Sequence, residues 1–169
     1  LHYPLRRQRQ MCIRDRDGEI KYILAFPEET ETGEALFIAQ TDIDNIIRSK
    51  AAIFAAIKSL IEYAGLTFNQ LERVYVAGGF GNYLNIEKAV SIGLLPDIPR
   101  ERIEFVGNSS LMGARMALLS IHAFEKAISI SQSITNIELS KFAPFADEYM
   151  ASLYLPHIDR ERLFPSVKY

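Results

Sequence analysis

The polar and apolar positions change rhythm several times along the chain, and each change marks an element. In residues 19–26 (EIKYILAF) Ile20, Tyr22 and Leu24 alternate with Lys21 and Ile23, the period of a strand, and Pro27 ends it. An acidic turn containing Gly33 leads into residues 35–39 (ALFIA), so the two runs predict a hairpin with a long loop. The period then lengthens. Ile43, Ile46, Ile47, Ala51, Phe54, Ile57, Ile61 and Ala64 follow helical spacing, which predicts one long amphipathic helix capped by Thr41 or Asp42 and stopped at Gly65. Residues 73–77 (RVYVA) read as a short buried strand. Asn85 then caps a short helix over 86–92, which Gly93 ends. Residues 103–106 (IEFV) form another strand. Ser109 or Ser110 caps a helix carrying Leu111, Ala114, Ala117, Leu118 and Ile121, with a pattern that extends to Ile130. Residues 135–139 read as a strand, 146–155 as a helix ended by Pro156, and 162–169 as an irregular tail. Strands alternating with helices argue for an α/β layer structure.

Composition narrows the class. Of 169 residues, 49% are apolar and 24% charged, which suits a globular domain with a real core. The formal net charge of -2 offers no field for a nucleic acid backbone. No apolar run approaches the ~20 residues of a bilayer span, since Lys58 and Glu62 interrupt the richest one, and no signal peptide is visible. A cytoplasmic location is expected. Cys12 is the sole cysteine, and His2, His122 and His157 show no metal-ligand spacing.

Residues 1–16 differ from the rest. They are basic, through Arg6, Arg7, Arg9, Arg14 and Arg16, and carry no periodicity. The run Met11-Cys12-Ile13-Arg14-Asp15-Arg16 matches one reading frame of a common sequencing-library transposon end. This segment is therefore read as a non-native artefact, and the domain as residues 17–169. The competing reading is a basic arm for an anionic partner.

The chemistry-bearing element is Val74-Tyr75-Val76-Ala77-Gly78-Gly79-Phe80-Gly81, in which a strand delivers the chain to a glycine pair and a helix follows. Glycines permit positive φ and remove the Cβ that would hold a ligand away from the backbone. Strand-to-helix turns of this kind are where α/β folds bind ligands, with turn amides facing a phosphate or ribose and a purine lying on bare glycine. A merely structural tight turn explains the glycines equally well. The chain contains neither GxxxxGK[ST] nor GxGxxG.

This turn resembles the adenosine motif of the actin, sugar kinase and heat-shock ATPase superfamily. The wider text is more specific. Residues 42–53 (DIDNIIRSKAAI), 74–82, 92–97 (IGLLPD), 105–111 (FVGNSSL), Leu155-Pro156-His157 and Phe164-Pro165-Ser166-Val167 together resemble the reductive activators of corrinoid proteins. The resemblance implies half of an actin-like (ribonuclease H-like) ATPase domain, a mixed sheet with helices packed on it. It implies an activity too. An N-terminal [2Fe–2S] module of the parent protein supplies an electron to a Co(II) corrinoid protein of a methyltransferase system, giving Co(I), with ATP and Mg²⁺ driving the uphill step.

By the same resemblance Gly78 and Gly79 match the adenosine motif, and Phe80 and Gly81 extend it. Arg48, Ser49 and Lys50 lie where the long helix of related ATPases borders adenine and ribose; a solvated surface lysine is the competing reading of Lys50. Asn108, Ser109 and Ser110 approach the nucleotide, or simply cap a helix. Asp147, Glu148 and His157 receive no chemistry.

The phosphate and Mg²⁺ sites of the superfamily come mainly from DxG turns in the first half of the domain, and Asp15-Arg16-Asp17-Gly18 lacks the preceding apolar strand. The cluster cysteines are missing from this chain as well. The expected partners are thus a corrinoid protein and the other half of the ATPase domain, with no nucleic acid and no membrane; a homodimer is left open. Taken alone, the chain is expected to be inactive. The alternatives are another ATPase of the superfamily, such as a dehydratase activator, and a non-enzymatic α/β interaction module.

Overall fold

The structure, a computed structural model, describes residues 12–14, 18, 20–79 and 83–168. The chain divides into two units, residues 1–49 and 50–169. Among the described residues no helix is long and apolar enough to cross a membrane.

The first unit is an antiparallel three-stranded sheet in the order β1 (Cys12–Arg14), β2 (Ile20–Ala25), β3 (Leu36–Ala39). The predicted hairpin is present: Tyr22 pairs with Ile38 and Ile23 with Phe37, with a bulge between Ile23 and Ala25. Its loop contains a 3-10 turn, Pro27–Glu29, closed by the Glu29 carboxylate accepting from the Phe26 N–H. The alternating burial expected of β2 is absent; Ile20, Leu24, Leu36, Phe37 and Ile38 are all exposed. Three residues of the segment read as an artefact pair with β2 as β1.

Helix α1 (Gln40–Tyr63) begins one residue before the expected caps. Asp42 accepts from the Ala39 N–H instead, from inside the first turn. Gly65 ends the helix as predicted, with φ +70° and the Gly65 and Leu66 N–H groups donating back to Glu62 and Ile61. In the second unit the buried seam of α1 is Lys50, Ala51, Phe54, Ala55 and Ser59, a spacing of one face. In the first unit Ile43 and Ile46 are exposed.

The second unit continues through β4 (Val74–Ala77), α2 (Ile86–Ser91), β5 (Ile103–Gly107), α3 (Ser109–Leu119), α4 (Ile121–Ser133), α5 (Ala143–Ser152) and α6 (Arg160–Leu163). Strands β4 and β5 are parallel neighbours, as a β–α–β crossover requires. The core gathers Phe54, Ala89, Val90, Leu95, Ile98, Ile103 and Phe164. The rings of Phe54 and Phe164 lie 5.2 Å apart.

Four expectations in this unit need correction. Strand β4 is half-buried, with Val74 and Val76 on the core and Tyr75 exposed. The helix after β5 breaks at Ser120, whose extended backbone and hydroxyl, accepting from the Ala123 N–H at 3.3 Å, start a second helix. Residues 135–139 form no strand; the stretch runs into a 3-10 turn, Leu139–Lys141, with no partner strand among the described residues. Helix α5 starts earlier than predicted because Pro144 fits the first turn, where its missing N–H costs nothing.

Candidate functional site

Both parallel strands end at the same level, and each ends in a glycine bend. Val74 pairs with Ile103, Tyr75 with Glu104 and Val76 with Phe105; the register then slips so that Ala77 faces Gly107. Arg73 and Glu104 form an ion pair at the exposed start of the two strands. At the carboxyl end, Gly78 has φ +106° and Gly107 φ +65°, a backbone region that an L side chain rarely adopts. The Gly78 N–H donates to the Gly107 carbonyl at 2.7 Å, which stitches the two bends together.

The bare glycine surface is open. A Cβ built on Gly78, Gly79 or Gly107 would meet no atom within 4 Å. Phe80 and Gly81 lie outside the described residues. Beyond them, Asn85 caps α2, its side chain accepting from the Lys88 N–H at 3.0 Å. Asn108 follows Gly107 directly and is the N-cap of α3, its Oδ1 accepting from the Leu111 N–H at 3.0 Å. The cap is thus Asn108, because its amide oxygen reaches the third N–H, and Ser109 and Ser110 are the first helical residues, both exposed. Gly78, Gly79, Asn108 and Ser109, four of the residues singled out in the sequence, therefore stand at one end of one parallel strand pair. Gly107 stands beside them, although it was not among the residues singled out in the sequence. Its signal was present, since the strand run IEFVG repeats the strand-then-glycine form of VYVAG.

Arg48 and Ser49 are exposed on α1 in the first unit. Lys50 is not a solvated lysine: it is 1% exposed, and its ammonium donates to the carbonyls of Tyr154 and of Pro156, the latter at 2.8 Å. Burial pushes its pKa down to about 8. Glu148 and His157 pair with each other at 2.9 Å, and Glu148 also takes Lys58 at 2.7 Å. The Asp159 N–H donates to His157 Nδ1, so Nε2 carries the proton and donates to Glu148.

At this end of the sheet the places where Cβ atoms would project are empty, which leaves the main chain of Gly78, Gly79 and Gly107 uncovered. A Mg²⁺ site does not follow from it: among the described residues no three His, Cys, Asp or Glu side chains converge. A [2Fe–2S] cluster needs four ligands, and the sequence has one cysteine.

The comparisons with known proteins agree on one family. The family model described as the C-terminal domain of RACo, the ASKHA domain, matches residues 4–168. Among solved structures, a reductive activator for corrinoid,iron-sulfur protein is 43% identical with a TM-score of 0.82, over 92% of this chain and 24% of that one. The corrinoid activation enzyme RamQ of Eubacterium limosum is 32% identical over 136 residues, 80% of this chain and 23% of its own. The [Co(II) methylated amine-specific corrinoid protein] reductase of Methanosarcina barkeri is 28% identical over 123 residues, 72% of this chain and 23% of its own. The chain spans about a quarter of the length of each of these proteins. With its parallel β–α–β core and its glycine bends at the carboxyl end, the chain has an actin-like fold and belongs to the family of C-terminal ASKHA domains of RACo.

Proposed function

We propose that this chain is the nucleotide-binding C-terminal part of a cytoplasmic, ATP-dependent activator that reduces a Co(II) corrinoid protein to Co(I). The observation that carries this reading is the stitched pair of glycine bends: Gly78-Gly79 and Gly107-Asn108 offer main chain without side chains at the carboxyl end of β4 and β5. In this reading adenosine rests on Gly78 and Gly79. Asn108 fixes the start of α3, so that the free N–H groups of Ser109 and Ser110 face negative charge. Arg48 and Ser49 are assigned to the nucleotide by the family resemblance alone.

ATP, when bound, supplies the free energy for an uphill electron transfer. The contribution of this chain is to hold the nucleotide and to favour the conformation of the complex in which the corrinoid is reduced. The relatives named for corrinoid activation and for Co(II) corrinoid protein reduction support the choice of acceptor over a dehydratase. The Mg²⁺ ligands and the [2Fe–2S] cluster are assigned to other parts of a longer polypeptide.

The test is equilibrium ADP and ATP binding by the full-length protein, before and after Gly79→Leu. A side chain at Gly79 occupies the surface given to adenosine, so affinity is expected to fall more than tenfold, ~1.4 kcal/mol. Unchanged binding would instead favour an interaction module with a purely structural turn. A second measurement, ATP-dependent formation of Co(I) on a corrinoid protein followed by absorbance, distinguishes the corrinoid reading from other ATPases of the superfamily.

A further inference from the structure

Residues 154–167 form a strap that is tied down at two anchors outside the glycine bends. Lys50 donates to the carbonyls of Tyr154 and Pro156. Under that contact lies Gly93, at φ +76°, where a Cβ would come within 2.1 Å of the Pro156 oxygen. At the other end, the Ser166 N–H and hydroxyl donate to the two Asp97 carboxylate oxygens at 2.8 and 2.6 Å, and Arg100 donates to both residues. Between these anchors Phe164 is inserted into the core.

That core is also what holds the glycine turn. Val76, just before Gly78, and Leu84 and Ile86, just beyond the turn, pack on the cluster of Phe54, Val90 and Phe164. The strap and the turn therefore share one core. Lys50 is the odd member of this assembly. Among the described residues it has no carboxylate partner, and its ammonium is buried against carbonyl groups alone. Burying a charge this way is costly, and an apolar side chain of similar length would serve stability better. What the ammonium adds is direction: it aims two carbonyls inward and closes Pro156 onto Gly93.

We propose that Lys50 is a positioning residue for the nucleotide site and touches no nucleotide itself: it sets the strap, and the strap sets the core on which both ends of the glycine turn rest. This rests on the nucleotide reading above.

The experiment uses the full-length protein and its Lys50→Met and Ser166→Ala variants, at a temperature where circular dichroism shows each fully folded. ADP affinity and amide hydrogen exchange of residues 83–95 are measured together. Lys50→Met is expected to weaken ADP binding about tenfold and to speed exchange over 83–95; Ser166→Ala, at the far anchor, is expected to do both less, by about threefold. Should Lys50→Met fail to fold, Ser166→Ala carries the test. Unchanged ADP affinity beside a loosened strap would overturn the proposal, because it makes Lys50 purely structural. Weakened affinity with unchanged exchange over 83–95 would also overturn it, because it makes Lys50 a direct contact. No ADP binding by the unmodified protein would sink the nucleotide reading, a result that the exchange measurement separates from a failure of the strap to couple to the turn.

Discussion

Two regions of the second unit treat their apolar residues in opposite ways. Around Phe54, residues from α1, α2, β5 and the strap interlock, and Phe54, Val90 and Phe164 lose essentially all contact with solvent. Helices α3 and α4 bury none of their residues: Leu118 is 87% exposed, Ile121 73% and Leu119 73%. The two regions have similar apolar content, so composition does not separate them. The difference is that the first meets its apolar partners within the chain, while the second leaves its apolar side chains exposed among the described residues.

The largest test of that contrast is Phe54→Ala. Removing a ring that touches Phe68, His157 and Phe164 should destabilise the chain by about 3–5 kcal/mol, read from denaturant unfolding. Gly93→Ala comes next, at roughly 2–3 kcal/mol, because the added methyl collides with the Pro156 backbone and the positive φ disfavours any Cβ. Either variant leaving the denaturation midpoint unmoved would show that the packed region is not what holds the unit together.

A pH series gives smaller effects and probes the polar shell of the same region. Burial alone would raise the Glu148 carboxyl, but hydrogen bonds from His157 and Lys58 outweigh it and hold it below its ordinary value. Asp97 is lowered in the same way, by Ser166 and Arg100 against its own burial. Both contribute stability that is present above the unfolded carboxylate pKa and lost as pH falls through the lower folded value, so stability should drop below pH ~4.5. Lys50 acts at the other end. Its folded pKa of about 8 lies below the unfolded 10.5, so from about 8 to 10.5 the unfolded chain binds more protons and stability should rise with pH. Lys50→Met should lack that contribution, so the difference between the two chains, unmodified minus variant, should rise from about pH 8 to 10.5. The smallest effect is predicted for Leu118→Ser, within about 0.5 kcal/mol in this chain, since an exposed side chain loses no packing. A large loss there would mean that α3 is buried after all.

The legible parts of the molecule were those governed by local rules. The hairpin, the long helix and its stop at Gly65, the Asn85 cap and the two strands of the parallel pair follow from period, cap and glycine chemistry. The break at Ser120 was hidden because Leu118 and Ile121 keep helical spacing on both sides of it, while the serine's own hydroxyl decides the matter. The expected strand at 135–139 had the right residues and no neighbour to pair with among the described residues. The role of Lys50 depends on carbonyls more than a hundred positions away, and no pattern within α1 reveals it. Of the candidate site, the glycine pair was readable from its strand-turn-helix setting; the adjacency of Gly107 came only with strand register.

The hydrogen bond from Gly78 to the Gly107 carbonyl makes a single hinge plate of two loops that lie far apart in the chain. Lesions at the two glycines should consequently be non-additive, with the double variant little worse than the poorer single one, as for parts that work together or not at all.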